Sequence, residues 1–277
     1  MTTALRPLNT GELLDRTFSL YRSHFGLFVG IFALPHLVVF AFQCLGVALQ
    51  SPFRGNQFAN LTSVLAWTYG ALFLSMILTA VSQAATVVAV SDVHLDRPAS
   101  VVDSYSRVKG QLLGVVLMSL LINVVVFTAC FALIVPGVLL FLMWSLAVPA
   151  KVLESKGIFD AMSRSMELTK GSRGRIFVIW LLFFVLSLGV SWLLQWPIII
   201  AAGAGSGGGL MRSTALWQVT SHAASFISQC LVGPIGTIAF SLVYYDQRVR
   251  KEAFDLQLMM TTIDAATFPA SPTQVGA

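Results

Sequence analysis

The sequence predicts an all-α polytopic membrane protein: six transmembrane helices, grouped as three divergent units that each join an interfacial helix to a helical hairpin. Three observations predict it. Hydrophobic residues fill 56% of the 277 positions and charged ones 10%, far from the roughly 25% charged of a soluble domain. Five long stretches hold no Asp, Glu, Lys or Arg, namely 23 to 53, 55 to 91, 110 to 150, 176 to 211 and 213 to 245. The basic residues, finally, sort to one side of the membrane that these stretches imply.

Each stretch can hold a span of about 20 residues. The third is 41 residues long, too long for one crossing, and Pro136-Gly137 marks a turn within it. Splitting it there gives spans at about 25–49, 64–90, 112–134, 137–153, 176–201 and 217–244. Fifteen of the 17 Lys and Arg then fall on one side, leaving Arg54 and Arg212 on the other. Fusing spans three and four would carry the six basic residues between Lys151 and Arg175 across the membrane, so charge supports the split independently. Because Lys and Arg collect on the cytoplasmic side, both termini are expected there. The net charge of +5 is thereby explained without a nucleic-acid partner.

No cleavable leader is expected, since the first 22 residues carry Arg6, Glu12, Asp15, Arg16 and Arg22 ahead of an apolar segment of spanning length. Cys44, Cys130 and Cys230 lie within spans, which argues against a disulfide framework. Residues 203 to 209 read as a glycine-rich linker. One membrane domain covers 1–260, and 261–277, with Pro269 and Pro272, reads as a disordered cytoplasmic tail.

The interfacial helices precede the odd-numbered spans. Asn9 can cap the first, with Glu12 at the reciprocal third position, and Leu13, Leu14, Thr17, Phe18, Tyr21 and Phe25 fall on one face. Ser100 caps the second with Asp103 three residues on; Val101, Val102, Tyr105, Val108 and Leu112 form its stripe. In the third, Ile158, Phe159, Met162 and Met166 do the same, with Gly171 as the stop. Aligning Asp15, Asp103 and Asp160 superimposes the three segments, each followed by basic residues and then a span. A carboxylate in a helix's first turn is favoured by the macrodipole, which accounts for all three.

Ionisable groups at membrane depth mark function, and here no Asp, Glu, Lys or Arg lies at that depth, Lys151 standing at the basic end of span four. The intramembrane polar set is His36, Gln83, Asn123, Gln195 and Gln229, with Gln43 and His222 nearer the span ends. His36 follows Pro35, which frees a backbone carbonyl that a nearby donor can satisfy, so a structural histidine is expected. No metal-ligand spacing, nucleophile elbow or phosphate loop is present, so no catalytic residue, metal or cofactor is predicted. Gly26-x-x-x-Gly30 reads as a close-packing signal between helices. Arg16, Arg22, Arg164, Glu167, Lys170, Arg248, Arg250 and Lys251 form a candidate surface for membrane lipid or a cytoplasmic protein partner, flanked by the aromatic anchors Tyr244 and Tyr245.

The run Arg6-Pro7-Leu8, Gly11-Glu12-Leu13-Leu14-Asp15-Arg16, Phe18, Leu20-Tyr21-Arg22 and His24-Phe25 resembles the start of the bacterial glycerophosphodiester phosphodiesterase membrane-domain-like family. So do Leu146-Ala147-Val148-Pro149-Ala150, the set Ala161, Arg164-Ser165 and Glu167-Leu168-Thr169-Lys170-Gly171, and the ending Tyr244-Tyr245-Asp246, Arg248, Arg250-Lys251-Glu252, Phe254-Asp255. The family name comes from members in which such a region is joined to a phosphodiesterase domain. This chain has no room for that barrel and no counterpart of its metal-ligand set, so the resemblance implies a bacterial inner-membrane module rather than an activity.

Three functions follow as expectations. The first is a non-catalytic module that binds or organises lipid or a protein partner. The second is a path for a small lipid-like solute, which requires Gln83, Asn123, Gln195 and Gln229 to face one cavity. The third is a surface enzyme acting on lipid, which requires Glu12, Asp15, Asp103 and Asp160 to converge. Oligomeric state has no signature in the sequence.

Overall fold

In a computed structural model, residues 9–50, 57–95, 97–204 and 214–267 are described, and among them every regular element is helical. Arg6, Arg54, Arg212 and most of the glycine-rich stretch lie outside them. The order is α1 (Thr10–Ser23), α2 (Phe25–Gln50), α3 (Gln57–His94), α4 (Val101–Val108), α5 (Leu112–Ala132), α6 (Ile134–Trp144), α7 (Ala147–Glu154), α8 (Ile158–Thr169), α9 (Arg173–Ala204) and α10 (Thr214–Thr267). Six crossings are long and apolar enough to span a membrane: α2, α3, α5, α6 with α7, α9 and α10.

The interfacial helices start as their sequences dictate. Asn9 and Glu12 form the reciprocal capping box of α1, Ser100 accepts from the Asp103 amide at α4, and Gly171 after α8 takes the left-handed φ of +87°. The α1 face is buried as expected at Leu13 and Thr17, whereas the buried faces of α4 and α8 are rotated from the expected stripes. Thr17, Ser104 and Ser165 are fully buried, whereas Val102 and Phe159 are each 75% exposed. Small hydroxyl residues let each helix lie close on the bundle, and an apolar side chain, Phe18, Val102 or Phe159, is left to face outward, as suits a helix at a lipid interface.

Two boundaries differ from expectation. The hairpin between spans three and four turns at Leu133, which is extended at φ −155° and ψ 125°, so α6 already contains Pro136 and Gly137 in its first turn. Proline is tolerated there because first-turn amides have no intrahelical acceptor. α10 runs on to Thr267, past the expected tail boundary at 261; its 54 residues extend about 80 Å, more than twice the hydrocarbon thickness.

The six crossings form two layers in a ring. The second span of each unit lies inside, where α3, α7 and α10 touch one another. The first span of each unit lies outside, wedged between its own partner and the inner span of the preceding unit: α2 between α3 and α10, α5 between α6 and α3, α9 between α10 and α6. Burial follows this order. In the most apolar part of each span, 44%, 39% and 61% of residues are buried in α3, α6 with α7, and α10, against 33%, 17% and 17% in α2, α5 and α9.

The interfacial helices complete the pattern: α4 packs on α3, α8 on α7 and α6, and α1 on α10, closing the circle between the first unit and the third. All three bond to span backbone beside a proline or a break. Pro35 deprives the Ile31 carbonyl of its helical donor, and Tyr105 of α4 donates to it. Pro234 disturbs the α10 ladder, and Tyr21 of α1 donates to the Leu231 carbonyl at 2.9 Å. At the break between α6 and α7, Ser165 of α8 donates to the Met143 carbonyl at 2.8 Å and accepts from the Leu146 amide at 3.2 Å. The Gly26-x-x-x-Gly30 motif serves the same contact rather than span pairing: a Cβ on Gly30 would meet Val101 of α4 at 3.2 Å, and one on Gly26 would meet nothing within 4 Å.

Candidate functional site

Both α1 and the last described side chains of α10 lie at one end of the bundle, here called the collar, with the described Lys and Arg residues. Each inner span reaches the collar on a carboxylate held by arginine. Asp92 of α3 accepts from Arg107 of α4 at 2.6 Å; Glu154 of α7 pairs with Arg164 of α8 at 3.3 Å; Asp246 of α10 accepts from Arg175 at 2.5 Å and Arg250 at 2.9 Å. Asp92 and Asp246 are only 3% and 5% exposed, so desolvation would penalise either charge without its partner. Arg107 and Arg164 stand four residues after the aligned acids Asp103 and Asp160. The first unit has Ser19 at that position, and Asp246 draws on α9 and its own helix instead.

Around Glu154 the contacts multiply. Tyr244 donates to it at 2.5 Å and Lys156 pairs with it at 2.8 Å, while Arg164 also reaches Glu252 at 2.5 Å. Burial works against the Arg164 charge, but the Glu154 and Glu252 carboxylates outweigh it and push its pKa above the ordinary arginine value. Arg248 pairs with Glu252 at 2.7 Å, and the Lys251 ammonium donates to the Glu167 and Lys170 carbonyls. Arg16 meets His94 at 3.3 Å. Much of the predicted basic surface therefore fastens α7, α8 and α10 together; Arg22, Glu167 and Lys170 keep exposed side chains.

The four acids of the enzyme reading stay apart. Glu12 accepts from the Asn9 amide at 2.9 Å and Asp103 from the Ser100 hydroxyl at 2.6 Å, each at its own helix start, and Asp15 and Asp160 are exposed on separate helices. Among the described residues no three His, Cys, Asp or Glu side chains form a metal-holding group, and no strand of a phosphodiesterase barrel is present.

The intramembrane polar residues divide between two cavities. One, of about 240 Å³, lies between the three inner spans and α5, and Gln83 and Asn123 both line it. Val87, Ile122, Phe141 and Phe240 supply apolar wall. Asn123 is exposed at the rim and donates to the Ser119 carbonyl at 2.8 Å. The Ser119 hydroxyl and the Trp144 indole N–H are buried with no protein partner, and Ser119 is only 7% exposed. The second cavity lies between α2, α3 and α10 and is lined by His36, Thr79 and Gln229. His36 Nδ1 lies 2.9 Å from the Phe32 carbonyl, so that nitrogen carries the proton and Nε2 faces Thr79 at 3.4 Å. His36 thus bonds within its own helix, and the carbonyl freed by Pro35 is served by Tyr105 instead. Gln195 joins neither cavity: its amide donates to α10, to the Ser221 carbonyl and Ser225 hydroxyl at 3.4 Å each.

Sequence reasoning placed Tyr21 and Tyr105 on apolar faces and Asp246 in the family motif, but gave none of them, nor Asp92 or Glu154, a fastening role. The spacing of an acid and an arginine four residues on was present in two of the three aligned segments.

Fold and cavities together define a polytopic helical membrane protein with an amphiphilic hollow between its inner spans. The chain matches no protein-family model, no curated protein and no solved structure.

Proposed function

We propose that this protein is a non-catalytic membrane module that binds a lipid or lipid-like amphiphile in the cavity between its inner spans. One observation carries the reading: a largely apolar hollow at membrane depth presents Gln83, Asn123, the unpartnered Ser119 hydroxyl and the unpartnered Trp144 N–H together. Buried polar groups without partners are costly, and a ligand with hydroxyl or carbonyl groups would satisfy them. At about 240 Å³ the hollow falls below the roughly 300–1,000 Å³ of drug-sized sites, so it fits a small headgroup or one part of an amphiphile rather than a whole phospholipid. We further propose that the collar faces the cytoplasm of a bacterial inner membrane, as its Lys and Arg content favours.

Native mass spectrometry of the protein released gently from its own membrane tests the binding reading. A stoichiometric amphiphile is expected on the wild type, and Ser119→Phe, which fills the hollow, is expected to reduce its occupancy at least tenfold. A bare wild-type chain would overturn the reading.

A further inference from the structure

The two cavities share two walls and are one helical turn apart on each. On α3, Thr79 lines the cavity of His36 and Gln83 lines the inner hollow; on α10, Gln229 and Gly233 divide in the same way. One turn is about 5.4 Å. Phe32 of α2 touches a wall residue of each, His36 in one and Gly233 in the other. Its ring is stacked on His36, 5.6 Å between centroids, and it presses on Gly233 so closely that a Cβ there would collide with it. The side chain is 1% exposed.

Away from the collar the His36 cavity continues into a third, because Gln43 and Ser75 line both. That outer cavity, of about 340 Å³, carries Thr68, Gln218 and His222 and lies toward the end of the bundle opposite the collar. Hydrogen-bonding side chains thus follow one seam of α2, α3 and α10 from that end to Phe32, then resume beyond it at Gln83. No Asp, Glu, Lys or Arg lines any of the three cavities.

We infer that the seam is a solvent-filled access route from the end opposite the collar to the inner hollow, closed by Phe32 seated on Gly233, for a small uncharged solute or headgroup bearing hydroxyl or amide groups. Donors and acceptors without charge recognise such groups and leave ions unsolvated. Glycine at 233 gives the ring a flat seat, and rotation of one side chain joins the chambers without moving a helix. The inference extends the binding reading by giving the hollow an entrance, and it is tested without a ligand, so either can fail alone.

The experiment uses the full chain with Cys44, Cys130 and Cys230 replaced by alanine and one reporter thiol, Ser75→Cys in the outer route or Ser119→Cys in the hollow. A neutral, membrane-impermeant methanethiosulfonate carrying a sugar group is added to sealed vesicles of each orientation. Ser75→Cys is expected to react from the face opposite the collar, and Ser119→Cys at least 100-fold more slowly. Adding Phe32→Ala is expected to speed Ser119→Cys at least tenfold from that same face; Phe32→Leu, a milder change for which folding is checked by thermal melting, is expected to give an intermediate rate. An unreactive Ser75→Cys, or a Ser119→Cys rate that neither Phe32 variant alters, would overturn the inference.

Discussion

At the scale of single residues, glycine separates contacts that backbone makes from contacts that side chains make. A Cβ on Gly137 would lie 2.6 Å from the Cys130 nitrogen and 2.7 Å from its Cα, atoms of a helix backbone that cannot turn aside. Gly137→Ala is therefore expected to force α5 and α6 apart, at a cost of about 3 kcal/mol or more. Gly233→Ala meets only the Phe32 ring, which can rotate, and Gly26→Ala meets nothing. The three variants are expected to rank in that order by thermal unfolding in detergent, with Gly26→Ala stabilising by up to about 1 kcal/mol through helix propensity alone. A Gly137→Ala protein that melts with the wild type would show that the hairpin is looser than it looks.

At the scale of elements, the informative bond joins Tyr105 to Ile31. Its worth can be isolated, because the acceptor is free only on account of Pro35. Tyr105→Phe alone is expected to cost about 1 kcal/mol, in keeping with interhelical hydrogen bonds in membranes. In a Pro35→Ala background the amide of residue 35 returns to the Ile31 carbonyl, so the same Tyr105→Phe change is expected to cost almost nothing. A double-mutant cycle on thermal stability reads the difference, and equal costs in both backgrounds would dissociate the tyrosine from the kink. This pair also shows where sequence reading stops. The caps at Asn9 and Ser100 were legible because donor and acceptor lie within three residues of each other. Tyr105 and Ile31 are 74 residues apart, and no local pattern announces their meeting.

For the whole molecule, span number and the sorting of charge were legible, since crossing length and the cost of a charge in hydrocarbon are properties of segments. Which spans lie inside was not, because hydropathy measures transfer from water and is indifferent to whether lipid or protein receives the helix. The runs of small residues on α3, with Ala80, Ala84, Ala85 and Ala89 buried, are the nearest thing to a sign. Likewise Gln83 and Asn123 stood out as polar, but packing alone decides that they share a hollow and that Gln195 does not. At the collar, Arg164 ties three carboxylates from three helices, whereas Arg248 reaches one carboxylate on its own helix. Arg164→Ala is expected to cost about 2 kcal/mol or more, and Arg248→Ala well under 1, as exposed i, i+4 pairs do. Thermal melts of the two variants at low and high salt would check this, and equal losses would mean that the network does not hold the collar together. Fusion of a reporter to the C-terminus reads sidedness: activity on the outer face of the cell would reverse the proposed orientation.

The contact of α1 on α10 gives the single chain the character of a trimer. Each unit offers its inner span to the interfacial helix of the next, a head-to-tail contact of the heterologous kind, and three such steps return to the start. Heterologous contacts that fail to close generate open-ended assemblies. Cutting the peptide between Ser155 and Gly157 spares every such contact, so co-expressed halves are expected to reassemble into one particle. Excising the second unit, 97 to 157, removes one step of the rotation and leaves an unsatisfied donor face and an unsatisfied acceptor face on the same molecule. That shortened chain is expected to run as a ladder of oligomers on native gels, whereas the divided one migrates as a single band.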